Sequence, residues 1–257
     1  MNKKELPIAV IDSGVGGISV LRELRALMPY ENFIYFGDSK NAPYGTKSRD
    51  EVLKITRENL AYLKALGIKA LVIACNTATS AAVRILRGEE SDLVIVGIEP
   101  AIKPPSVDLD HPRVLVMATP LTLGEEKFKG LVERFSGVED IIPLPAPRLV
   151  EFVESGELDS TALHGYLDEL LSPYQNEKID ALVLGCTHYP HVKDAIARHL
   201  PESVRIYDGG VGTARETMRR LKEAGLLRDC SSQGRIEILN SSGDPELIEL
   251  SEKLLYR

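Results

Sequence analysis

Two stretches of the chain repeat one another. Lys69-Ala70-Leu71-Val72-Ile73-Ala74-Cys75-Asn76-Thr77 matches Asp180-Ala181-Leu182-Val183-Leu184-Gly185-Cys186-Thr187-His188, each an apolar run of strand length ending in a small residue, a cysteine and short polar groups. The upstream context repeats too, because Ile8 to Ser13 and Val114 to Thr119 are both apolar runs that end in a polar residue. Internal self-similarity of this kind constrains the fold before any single residue does. It predicts one half-structure used twice.

Apolar runs at Ile8 to Ile11, Phe33 to Phe36, Ala70 to Ala74, Val94 to Ile98, Val114 to Ala118 and Ala181 to Leu184 have strand length and no polar alternation. Such runs are buried on both faces, as in parallel sheets. Between them, Val20 to Leu27, Val52 to Leu66 and Thr161 to Leu171 place apolar residues three and four apart, the pattern of amphipathic crossover helices. The expected architecture is α/β, with two similar doubly wound parallel-sheet domains related by pseudo-twofold symmetry and the active site in the cleft between them. Each cysteine then follows the C-terminal end of a strand, where open parallel sheets form their ligand crevices. Pro100, Pro104 and Pro105 punctuate the division, so residues 1–98 plus 208–257 are assigned to the first domain and 99–207 to the second.

A formal net charge of -7 and the lack of a basic cluster disfavour nucleic acid and favour a small-molecule or protein partner. The apolar run near the N-terminus is stopped by Asp12, too soon for a signal peptide or membrane span. A cytoplasmic protein with no membrane partner is expected. Three cysteines without CxxC spacing suit neither a disulfide framework nor a structural zinc site, so they are expected to remain thiols.

A lone cysteine at a strand end is usually a small buried hydrophobe. Cys75 and Cys186 occupy matching positions of two half-repeats, which packing does not explain, and both are taken as functional. Cys230, in Asp229-Cys230-Ser231-Ser232, has no counterpart and reads as incidental. Asp12-Ser13-Gly14-Val15-Gly16-Gly17 is a glycine-rich turn feeding a helix whose free N–H groups can hold a carboxylate. A dinucleotide fold, with Asp38 as the ribose acid, is the competing reading; the turn is GxGG instead of GxGxxG, and a nucleotide leaves the repeated cysteines unexplained. Asp12 is better read as a polar group aimed into the cleft.

His188 and His191 follow Cys186 closely, but no CxxC or HExxH spacing supports a metal, and His188 before Tyr189-Pro190 reads as an acid/base group in a turn. His111, His164 and His199 read as surface residues. No lysine has a context that argues for pyridoxal phosphate, so neither metal nor cofactor is expected. Asn41-Ala42-Pro43-Tyr44-Gly45 is a loop able to cap a ligand, and Glu151 and Glu154 share one face of a short helix.

Together, Ile11-Asp12-Ser13-Gly14-Val15-Gly16-Gly17, Pro43-Tyr44-Gly45, Ala74-Cys75-Asn76-Thr77-Ala78-Thr79 and Gly185-Cys186-Thr187-His188-Tyr189-Pro190 resemble the glutamate racemases of the aspartate/glutamate racemase family in content, order and spacing. The resemblance implies cofactor-independent interconversion of L- and D-glutamate, supplying D-glutamate for peptidoglycan. It implies Cys75 and Cys186 as the acid/base pair, with Asp12 beside the first and His188 beside the second. Substrate contacts fall on Asp12, Ser13, Tyr44, Gly45, Asn76, Thr77, Thr187 and His188, with Thr119 added to them. Aligning on Glu154-Ser155-Gly156 matches Glu154 to the family's catalytic glutamate, with Glu151 one helical turn away as the alternative. Pro145-Ala146-Pro147 lacks the cysteine common there, and His191 stands where an apolar residue is more usual. A homodimer is compatible with this reading.

Two thiols suit racemisation because the α-proton leaves one face of the carbon and another must arrive on the opposite face. An aspartate racemase is the nearest rival; Thr79 and His188 argue for glutamate. A silent binding protein for a nucleotide or other small molecule is the rival from another class.

Overall fold

In the computed structural model, which describes residues 2–124, 130 and 140–257, each apolar run named above forms a strand of a parallel sheet. The chain divides into two units, Met1–Glu99 with Gly210–Arg257, and Pro100–Gly209. The first unit begins with β1 (Ile8–Asp12), α1 (Ile18–Leu27), β2 (Phe33–Gly37), α2 (Arg49–Leu66), β3 (Ala70–Ile73), α3 (Asn76–Glu89) and β4 (Val94–Gly97). The second holds α4 (Lys103–Asp108), β5 (Arg113–Ala118), α5 (Pro120–Gly124), β6 (Asp140–Pro145), α6 (Arg148–Glu154), α7 (Thr161–Leu171), β7 (Ala181–Leu184), α8 (Lys193–Ala197) and β8 (Arg205–Asp208). The chain then returns to the first unit with α9 (Gly210–Glu223), β9 (Ile236–Asn240) and α10 (Pro245–Tyr256).

The strand orders are β4-β3-β1-β2-β9 and β6-β5-β7-β8. Apart from β9, the two sheets have the same topology: β1, β2, β3 and β4 correspond to β5, β6, β7 and β8. The chain moves one way from β1 to β2 and back across β1 to β3, so right-handed crossovers put α1 and α2 on opposite faces. Packing agrees, with α1 against α9 and α10, and α2 against α3. Both faces of the central strands are therefore covered. β1, β2 and β3 are buried at every position, which is why their sequences run apolar without alternation.

Register reproduces the repeat atom by atom. Ile11 pairs with Ile73 as Met117 pairs with Leu184. Just beyond those pairs, Ala74 N–H donates to Ile11 O at 2.8 Å and Gly185 N–H donates to Met117 O at 2.7 Å. Asp38 N–H on Asp12 O and Ala146 N–H on Ala118 O make a second matching pair, at 2.9 and 3.1 Å. Cys75 and Cys186 are thus the first residues past equivalent ladders, each at the point where strand order reverses.

Three strands had no apolar run to announce them. β6, β8 and β9 all lie at sheet edges and are only partly buried. β6 contains Pro143 and Pro145, which an edge strand tolerates because one row of its N–H groups needs no partner.

A buried ion pair ties the returning segment to the sheet. Lys69, fully buried before β3, donates to Glu31, whose other oxygen accepts from Arg228 N–H at 2.8 Å. Burial pushes the Lys69 pKa down while Glu31 opposes it. Glu89 ends α3 and Glu90 is its C-cap, and the two are held by Arg57 and Lys64 of α2.

Gly97 ends β4 beneath α3, and a Cβ there would lie 2.6 Å from Thr79 Cγ2 and 3.0 Å from Val83 Cγ2. Thr79 is not free to move, because its Oγ1 donates to Ile73 O at 3.0 Å. Gly97→Ala is expected to destabilise the protein by about 1–3 kcal/mol through overpacking. Gly88→Ala, in the same helix with nothing within 4 Å, is expected to stabilise it by roughly 0.5–1 kcal/mol. Urea unfolding of the two variants reads both signs.

Candidate functional site

In the first unit, Asp12 ends β1 and its Oδ1 accepts from Gly14 N–H at 3.1 Å, folding the glycine-rich turn back on the strand. Tyr35 OH donates to Gly14 O at 2.6 Å from β2. A Cβ on Gly17 would stand 2.6 Å from Asp12 Cβ, so only glycine lets α1 begin this close to the carboxylate. Asp12 and Ser13 are buried as a result.

Cys75 is both the residue after β3 and the N-cap of α3. Its sulfur accepts from Ala78 N–H at 3.4 Å, and its thiol lies 3.8 Å from Ser13 Oγ as a donor. An N-cap position places the sulfur at the positive end of the helix dipole, which favours a thiolate there. Asn76 and Thr77 open α3 and are buried. Asn76 Oδ1 is buried with no hydrogen-bond partner, a condition that costs about 1–3 kcal/mol unless another group supplies a donor.

Tyr44 reaches the same corner from the loop after β2. Its hydroxyl donates to Asp38 Oδ2 at 2.5 Å, and Asn59 Nδ2 from α2 donates to Asp38 Oδ2 and Tyr44 OH at 3.0 and 3.1 Å. Burial, the Asp38 hydrogen bond and the charges of Asp38, Cys75 and Asp12 push the Tyr44 pKa far up. The phenol therefore stays a proton donor. Asp38, considered above as a ribose acid, is fully buried and engaged by Tyr44, Asn41 and Asn59. Gly45 follows in a partly exposed turn.

In the second unit, Cys186 Sγ lies 3.6 Å from His188 Nδ1, and His188 Nε2 lies 2.7 Å from Glu154 Oε1. Cys186 and His188 are buried; Glu154 closes α6 at the edge of solvent. Burial disfavours the charged ring, but hydrogen bonds to Cys186 and Glu154 and their charges outweigh it, holding the His188 pKa well above 6.5. A doubly protonated ring satisfies both contacts as donor. Glu151 faces solvent, so of the two glutamates only Glu154 touches His188.

Thr119 and Thr187 are buried, and Thr119 Oγ1 shares a 2.9 Å hydrogen bond with Thr122 Oγ1. Tyr189 OH donates to Ala146 O at 2.8 Å, clamping the turn that carries His188. A Cβ on Gly185 would press Ala118 Cβ at 2.9 Å, which explains the small residue before the cysteine. His191 is buried.

The structure thus gathers Asp12, Ser13, Tyr44, Cys75, Asn76 and Thr77 in one unit, and Thr119, Glu154, Cys186, Thr187 and His188 in the other. Sequence reasoning missed the supporting groups Tyr35, Asn59 and Tyr189. Their hydroxyl and amide contacts span 15 to 43 residues, and only the tertiary fold brings the partners together. Among the described residues no three His, Cys, Asp or Glu side chains converge on a metal position, and no helix is long and apolar enough to cross a membrane.

The family model for Asp/Glu/hydantoin racemase matches residues 9–217. A glutamate racemase of Clostridium botulinum (strain Alaska E43 / Type E3) is 47% identical over 255 residues, covering 99% of both chains. Among solved structures, glutamate racemase from Francisella tularensis in complex with D-glutamate matches at a TM-score of 0.84 and 28% identity, over 99% of this chain and 95% of that one. Escherichia coli glutamate racemase in complex with L-glutamate and activator UDP-MurNAc-ala matches at 0.84 and 30%, over 97% and 92%.

Glu154→Gln removes one of the two groups that hold the proton on His188, so the His188 pKa is expected to fall; ring-proton NMR across a pH titration measures it, and an unmoved value contradicts this geometry. The sign carries over to stability. The folded pKa is raised, so the contribution of charged His188 is fully present below the unfolded value of about 6.5 and is lost as pH rises through the folded one. In Glu154→Gln the contribution should be smaller and its loss complete at lower pH.

Proposed function

Because the chain belongs to the Asp/Glu/hydantoin racemase family, we propose that it interconverts L- and D-glutamate, with Cys75 and Cys186 as acid/base groups on opposite faces of the α-carbon. The observation that carries the chemistry is the repeated strand-end thiol, held by the same ladder in each unit. Whole-length identity of 47% to a glutamate racemase supports the substrate. The D-glutamate formed supplies peptidoglycan synthesis in the cytoplasm.

In this reading one sulfur, as thiolate, removes the α-proton, and the opposite thiol delivers a proton to the other face; the roles exchange for the other enantiomer. Two poised groups are needed because a free thiol, with a pKa of about 8.5, is only slightly ionised near neutrality. At Cys75 the helix N-terminus favours negative charge, and Asp12 is the nearby acid that takes part in setting it. At Cys186 the charged His188 lies 3.6 Å from the sulfur, and Glu154 keeps that ring charged.

The harder problem is the weak acidity of the α-carbon. Donors directed at the substrate carboxylate, where charge gathers as the proton leaves, lower that barrier. Ser13, Thr77, Thr119 and Thr187 supply hydroxyls, and Tyr44 and Gly45 close the loop side. Asn76 Oδ1, a buried acceptor without a partner, suits the substrate ammonium. Retaining that positive charge beside the reacting carbon further stabilises the carbanion-like state.

Cys75→Ala and Cys186→Ala are each expected to lower kcat by about 10²–10⁴-fold or more in both directions, the usual contribution of a positioned acid or base. Circular dichroism of L- and D-glutamate solutions follows the reaction directly. Near-normal turnover in either variant would reject the two-thiol scheme, and equal turnover of L-aspartate would reject the substrate assignment.

A further inference from the structure

His164 and His199, read from the sequence as surface residues, are half-buried and joined. His164 Nδ1 lies 2.8 Å from His199 Nε2. The outer nitrogen of each ring meets a carboxylate at 2.8 Å: His164 Nε2 with Asp159 Oδ1, and His199 Nδ1 with Asp168 Oδ1. The ring centroids are 5.1 Å apart, so the rings meet edge to edge through the facing nitrogens instead of stacking.

The local sequence builds this array. His164 and Asp168 are one turn apart on α7, Asp159 precedes the N-cap Ser160 of that helix, and His199 follows α8. Counting protons makes the pair unusual. Each ring donates outward to its carboxylate, so both facing nitrogens present lone pairs unless one extra proton sits between them.

An imidazole whose far N–H is held by a carboxylate is also the arrangement that orients histidines toward metals, fixing the tautomer and raising ligand basicity. Here the arrangement occurs twice, with the free nitrogens facing one another. We propose that His164 and His199 form a two-imidazole binding site for a borderline transition-metal dication such as Zn²⁺. Binding replaces the shared proton: the N–H···N hydrogen bond breaks, two metal–nitrogen bonds form, and the proton leaves to solvent.

The fit requires a small opening. Metal–nitrogen bonds of about 2.0–2.1 Å at a tetrahedral angle need the nitrogens roughly 3.3–3.4 Å apart, about half an ångström wider than they stand. The two protein ligands leave the other positions to water, consistent with no three-residue cluster among the described residues. The His164 side chain, 26% accessible against 11% for His199, is the side from which the ion approaches. Arg198, 2.8 Å from Asp159 Oδ1, is the opposing charge and restrains affinity.

Calorimetric titration of the whole chain with ZnCl₂ tests the site. Thiols elsewhere also take up zinc, so the readout is a difference: the His164→Gln/His199→Gln double variant should bind one equivalent fewer than the parent chain. The parent should also release one more proton, seen by repeating the titration in buffers of different ionisation enthalpy. Asp168→Asn keeps both rings and serves if the double variant does not fold; its zinc affinity at this site should fall about 10–100-fold. Equal stoichiometry in parent and double variant, or unchanged affinity in Asp168→Asn, overturns the proposal.

Discussion

The hydrogen bonds from Ala74 N–H to Ile11 O and from Gly185 N–H to Met117 O are the last rungs of two equivalent parallel ladders, and the proposed chemistry depends on where they stop. One residue further on, the strand has ended and the backbone turns into a helix or a tight turn. The cysteine is therefore held by a rigid strand on one side and presented at the end of the sheet on the other. Because neighbouring strands depart in opposite directions there, no crossover covers the spot. A loop cysteine would have the same chemistry with less exact placement.

The repeat fixes the thiols, but their surroundings diverge. In the first unit Cys75 caps α3 and faces the hydroxyl of Ser13, within a shell locked by Asp38, Tyr44 and Asn59. In the second, no helix cap performs that part; a buried histidine does, backed by Glu154. One sulfur is poised by backbone dipoles and the other by an ionisable ring. In the proposed scheme the two units perform similar chemistry by different electrostatics, which makes the His188 side the more sensitive to pH.

Much of this was legible in the sequence, for physical reasons that differ by element. Central strands are buried on both faces, so β1, β3, β5 and β7 announce themselves as continuous apolar runs, and the cysteines with them. β6, β8 and β9 carry mixed residues because edges need no such runs. The helices α1, α2 and α7 were read within a few residues from apolar spacing. Residues that act through others left no local signal: Asn59 reaches Asp38 from a helix that looks ordinary in sequence. Asp38 was noticed for the wrong reason, since a strand-end acid suits a ribose as well as a tyrosine hydroxyl. The histidines at 164 and 199 looked solvated because each has polar neighbours in sequence; folding turns those neighbours into partners.

The central claim is that the proton removed and the proton returned belong to different sulfurs on different faces of the α-carbon. Reaction of a single glutamate enantiomer in deuterated water tests it most directly, with the α-position of both enantiomers analysed by mass spectrometry at early conversion. The account predicts that deuterium appears in the inverted product while the remaining substrate keeps its hydrogen. Equal early labelling of substrate and product would mean a single shared base, and would contradict it.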